Sequence, residues 1–135
     1  MAEIYGPADV VAGLVGFLRG HGINAATRVP LERAPGMVRV SRQGGGPVNE
    51  LQDQAVMLVE VWAEDQPAAF DLARKIWGLV AAVSVNDQGA FPGLVTYRAS
   101  PNIPVQYPDE YAPELDRHQL TVDMLVRFEP MEVDL

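Results

Sequence analysis

Cysteine is absent from the 135 residues. Disulfides, thiolate zinc sites, iron–sulfur clusters and cysteine nucleophiles are therefore excluded. Lysine occurs once, at Lys75, and basic residues total 10 against 18 acidic ones. The formal net charge is -8. That is the wrong sign for displacing phosphate counterions, so nucleic-acid and anionic membrane surfaces are poor partners. Histidine is limited to His21 and His118, and serine to Ser41, Ser84 and Ser100. None of the serines sits in a nucleophile elbow. No apolar run approaches the ~18 residues of a membrane span. The start, Met1-Ala2-Glu3, is acidic and carries no basic leader region.

What is present suits one globular domain, residues 1–135. Apolar residues make up 48% and charged residues 21%, enough of each for a core and a soluble surface. Val10, Val11, Leu14, Val15 and Leu18 repeat at helical spacing after Pro7, and Gly20 and Gly22 supply a stop. Gly13 and Gly16 weaken such a helix unless something packs closely against it. Residues 23–29 read as a short strand ended by Pro30, and residues 37–42 alternate as a second. In residues 55–63, Val56, Leu58 and Trp62 point one way and Met57, Val59 and Val61 the other. A strand apolar on both faces is expected at the centre of a sheet, covered on both sides. Asp65-Gln66-Pro67 starts a second helix over residues 68–84, with Phe70, Ala73, Trp77 and Val80 on its apolar stripe. Strands follow at 94–99 and 118–128. The order α-β-β-β-α-β-β predicts an α+β fold, a mostly antiparallel mixed sheet with two main helices packed on it.

Two segments break this pattern. Residues 43–50 contain Gly44, Gly45 and Gly46, which read as a flexible hairpin loop or as a loop that orders on a partner. A phosphate cradle is excluded, because no Lys-Ser or Lys-Thr follows and no helix starts there. Residues 99–116 hold four prolines with Tyr107 and Tyr111 between them. They predict an extended arm, lying either on its own sheet or on a partner. The acidic end, residues 129–135, has too little apolar surface to fold alone and is expected to be frayed or to dock in an assembly.

Chemistry is thinly represented. His21 follows a helix end, where it caps. His118 lies near Asp116, without a third metal ligand at sensible spacing. Glu60 interrupts the most apolar strand and needs an arginine, Arg39 or Arg127, or a position facing another subunit. Asp9, Asp53, Glu60 and Asp123 could pair only in three dimensions, and the expectation is of no enzyme, no cofactor site and no metal site.

Met37-Val38-Arg39-Val40, Gly44-Gly45-Gly46, Val56 through Trp62 and Ala68-Ala69-Phe70-Asp71-Leu72-Ala73 together resemble the tail terminator proteins of long, non-contractile-tailed bacteriophages. The resemblance is strongest over residues 37–81. It implies a non-enzymatic virion protein, assembled in the host cytoplasm, that forms a homohexameric ring. The ring would cap the head-proximal end of the tail tube, stop tube polymerisation and present a surface to the head–tail connector. DNA would pass through its lumen without specific binding, and a divalent cation assists assembly in some members.

Under that reading the expected contacts are Arg39 and Arg42, the Gly44–Gly46 loop, and a Glu60–Arg127 charge pair. Tyr107 and Tyr111 would anchor the arm, and Met57, Val59, Val61 and Leu125 would supply apolar burial. Another head–tail joining protein, or a small dimeric ligand-binding α+β domain, are the alternatives.

Overall fold

The computed structural model describes residues 1–134. In chain order the elements are β1 (Ala2–Gly6), α1 (Val10–Gly20), β2 (Asn24–Ala26), β3 (Met37–Pro47), β4 (Gln52–Ala63), α2 (Gln66–Ala81), β5 (Thr96–Pro101), β6 (Val105–Gln106), β7 (Asp116–Arg127) and β8 (Glu129–Val133). The fold is α+β. The main sheet has the order β2-β3-β4-β7-β5, with β6 added on β7. Among the described residues the β2–β3 pair alone is parallel, and the other pairs of this sheet are antiparallel.

Both helices begin where their caps dictate. The Asp9 carboxylate accepts from the Ala12 backbone N–H at 3.0 Å, so α1 starts at Val10, not at Pro7. Asp65 does the same for Ala68 at 2.9 Å, with Pro67 in the first turn of α2. The buried stripe of α2 is Ala69, Ala73, Ile76 and Val80. Phe70, expected on that stripe, is instead 40% exposed and meets the edge of the His118 ring. In α1, a Cβ at Gly13 would run into the Leu94 side chain, and one at Gly16 would come within 3.3 Å of Pro92. The helical glycines thus admit the chain that follows α2.

β4 is the central strand, as its apolar run predicts, between β3 and β7, but the expected cover on both faces is not met, since its Val56 and Leu58 side is only half-buried. Both helices pack on one face of the sheet. Val40, Met57, Val59, Val61, Val122 and Met124 are fully buried in that layer. Each such side chain contributes roughly 1.5–3 kcal/mol when removed from water. Met57, Val59 and Val61 are therefore core residues and not subunit contacts, which corrects the sequence expectation.

Three further corrections concern the irregular segments. Gly44, Gly45 and Gly46 are not a loop. They continue β3 opposite Val56, Ala55 and Gln54, after a bulge between Arg42 and Gly44. The turn falls later, where the Val48 N–H donates to the Gln52 carbonyl. Residues 129–133 are not frayed, because β8 pairs along its length with β1. Leu135, the last residue of the expected acidic tail, lies outside the described residues. The proline-rich segment lies on its own sheet: β5 runs as far as Pro101, β6 pairs with β7, and Asp109 and Ala112 are buried.

Candidate interaction surface

The sheet face opposite the helices is divided in two. At the Trp62 end it is covered by the chain's own strap, residues 102–115, together with the 31–36 loop. The Trp62 indole N–H donates to Asp109 Oδ2 at 2.9 Å. Asp109 Oδ1 accepts from the Tyr111 backbone N–H at 3.0 Å. Arg33 Nε lies 3.2 Å from Asp109 Oδ2, out of line for a hydrogen bond, so it contributes as a charge. Its guanidinium also sits 5.7 Å from the Tyr111 ring centre.

Arg117 completes the strap. Its Nε donates to the Tyr107 carbonyl at 2.8 Å and its Nη1 to Glu60 Oε2 at 2.9 Å. The same guanidinium lies 5.7 Å from the Trp62 ring and 5.1 Å from the Tyr107 ring. Glu60, 5% exposed, also meets Arg39 at a loose 3.5 Å. The expected Arg39 pairing is therefore present, and the Arg127 pairing is not. Glu60 stands opposite Gln119, whereas Arg127 stands opposite Gln52 at the other end of β7. Tyr107 and Tyr111 anchor the arm only through their backbones and ring faces, since the rings remain 54% and 75% exposed.

On the helix side of the sheet, Arg42 forks onto Asp53 at 2.6 and 2.8 Å and donates from Nε to the Gly44 carbonyl at 3.0 Å. This closes the bulge and satisfies the buried Asp53 carboxylate. The Asp53 hydrogen bond, against the cost of burial, raises the Arg42 guanidinium above its ordinary value.

Burial alone would raise the Asp109 carboxyl. The Trp62 and Tyr111 N–H groups and the charges of Arg33 and Arg117 outweigh it, and the carboxyl lies below its usual range. A carboxyl lowered by folding stabilises the fold above its unfolded pKa. That contribution disappears as pH falls through the folded value, so the loss occurs below about pH 4. Urea stability should therefore fall less steeply on acidification in Asp109→Asn than in the wild-type chain. Parallel acid limbs in the two proteins would remove Asp109 from this account.

The rest of the same sheet face is bare. Val56, Leu58 and Leu125 lie on it half-buried, on the side of the sheet away from the helices. Arg98 is exposed beside them and reaches Gln54 Oε1 at 3.3 Å. Asn102 donates to Thr121 Oγ1 at 2.7 Å and to Asp123 Oδ2 at 3.2 Å, marking where the strap begins. Of the expected contact residues, this half holds Leu125 and Arg127, whereas Arg39 and Glu60 share the same face at the strap end. The sequence separates Val56 and Leu58 from the core residues by alternation, but it does not reveal that the helices cover only one side. Arg33, Trp62, Asp109 and Arg117 have no local signal at all, since their contacts join distant parts of the chain.

Other surfaces offer less chemistry. A groove of about 520 Å³ between the C-terminal ends of α1 and α2 is lined by Phe17, Leu79 and Val83 with His21, Ser84 and Asp87. His118 Nδ1 lies 2.7 Å from Asp116 Oδ1, and its ring is buried against Phe70. Among the described residues no three His, Asp or Glu side chains are grouped to hold a metal ion, and no helix is long and apolar enough to cross a membrane. Compared with known proteins, the chain matches no protein-family model and no curated protein.

Proposed function

We propose that this chain is a tail-terminator-type ring subunit. Six copies close a ring on the head-proximal end of a phage tail tube, end tube growth and offer the opposite face to the head connector. DNA crosses the lumen unbound, in keeping with the chain's net negative charge. The observation that carries this reading is the bare half of the sheet. A central strand, β4, carries half-buried Val56 and Leu58 beside half-buried Leu125, while the strap lies over the Trp62 end of that face. A strip of half-buried aliphatic side chains rimmed by polar ones, next to a part of the face that the chain covers for itself, is suited to a subunit contact. A contact between two different patches of the same chain is heterologous and closes into a ring when its rotation allows. The resemblance over residues 37–81 supplies the particular ring.

The test is tube length. Purified tail tube protein polymerised with the wild-type chain should give short, capped tubes by negative-stain microscopy. Leu125→Arg, which places a charge on the bare face without touching the helix-side core, should abolish capping and leave the far-ultraviolet circular dichroism unchanged. Tubes of equal length with and without the wild-type chain would overturn the function.

A further inference from the structure

The first and last strands form a second, separate sheet. β1 and β8 pair from Ala2 with Val133 to Gly6 with Glu129, and each finds its main element contact in the other. An isolated two-stranded ribbon is marginally stable in water. This one also sets Glu3 directly opposite Glu132, and like charges in that position weaken pairing further. On the same ribbon face Tyr5 stands opposite Pro130, with Tyr5 49% exposed. The other ribbon face closes partly on itself, with Met131 packed over Gly6. The ribbon thus offers an aromatic–proline patch capped by two adjacent carboxylates, a site that a guanidinium would complete.

The complementary surface is on the same chain. Arg98 is exposed on the bare half of the main sheet, donates to Gln54, and stands opposite Leu125 in the β5–β7 register. Leu125 lies one strand over and Val56 two strands over, within two residues of register. A cation beside an apolar strip matches two carboxylates beside Tyr5 and Pro130. The ribbon leaves the body at Phe128, immediately after β7, where the Phe128 N–H donates to the Leu51 carbonyl. It starts at the end of the sheet opposite the strap, next to the bare half, and the ribbon patch and the bare sheet face are two different surfaces of the chain.

We infer that the ribbon of one copy docks on the bare sheet face of the next, with Glu3 and Glu132 clasping Arg98 and with Tyr5 and Pro130 covering Leu125 and Val56. The contact is head-to-tail and rests on the ring reading, to which it assigns the joining surfaces.

The experiment is light scattering after size exclusion over a concentration series, with Arg98→Glu, with Glu132→Arg and with both together. Glu132→Arg places an opposite charge across from Glu3, so it strengthens the ribbon internally; a loss of assembly cannot then come from ribbon melting. The wild-type mass should correspond to six copies of the 14.7 kDa chain, about 88 kDa. Each single variant should fall to one chain, and the double variant should regain the ring. Single variants that keep the wild-type mass would overturn the ribbon contact and leave the ring reading standing. A wild-type chain that stays monomeric throughout would also overturn it. The ring reading would then be decided separately by the tube-length assay.

Discussion

Replacing Glu60 with alanine should lower the unfolding free energy by about 3 kcal/mol, the lower end for removing one member of a buried charge network. The lower end applies because the two arginines are not equally buried. The Arg117 side chain is 14% exposed and loses the carboxylate it donates to, whereas Arg39 at 40% exposure is rehydrated easily. Glu60→Gln keeps the volume and one oxygen that accepts from Arg117, so it should cost about half as much. A second readout separates a local from a general effect. Arg117 links Glu60 to the Tyr107 carbonyl, so Glu60→Ala should also speed proteolytic cleavage within residues 102–115. Urea unfolding of both variants, with timed proteolysis, checks the scheme. A loss of under about 0.5 kcal/mol in the alanine variant would mean that the apolar core holds this end of the sheet unaided.

Glu60 also illustrates what the sequence could and could not convey. A carboxylate in an apolar strand announces a need for a cation, and one partner, Arg39, follows from strand adjacency. The other follows only from the register of β4 on β7. That register brings Glu60 to Gln119, near Arg117, and leaves Arg127 at the far end. Alternation identifies strands and their two faces, as in β7, where Leu120, Val122, Met124 and Val126 are buried. It does not set how far one strand slides along another, or which face the helices choose. Elements made by long-range pairing leave even less local trace. β1 and β8 are short, acidic and far apart in sequence, and each gains its partner only from the other. The bare face is legible as residues that point the same way as Trp62. That it stays uncovered depends on where the strap ends, and the prolines there encode stiffness but no destination.

The glycine run gives the other large effect, and it falls on one residue of three. Gly45→Ala should cost about 3 kcal/mol or more, a drop of roughly 10 °C in Tm for a domain of this size. Gly46→Ala should stay within about 0.5 kcal/mol. Gly45 has φ +96°, a backbone conformation that L side chains rarely adopt. A Cβ there would also run into the Gln54 carbonyl oxygen and close on the Ala55 Cα, so β3 and β4 would have to separate locally. Gly44 and Gly46 meet nothing within 4 Å and have ordinary φ. Composition alone treats the three as one flexible loop, whereas the hairpin needs glycine only where β3 comes tightest against β4. The damage should spread to the Arg42–Asp53 fork, which is built on the bulge next to Gly45 and leaves the buried Asp53 carboxylate unpaired if it opens. Thermal unfolding of Gly44→Ala, Gly45→Ala and Gly46→Ala side by side provides the measurement. Equal and small losses at all three positions would show that this end of the hairpin bends freely, and that the positive φ at Gly45 is not required for the fold.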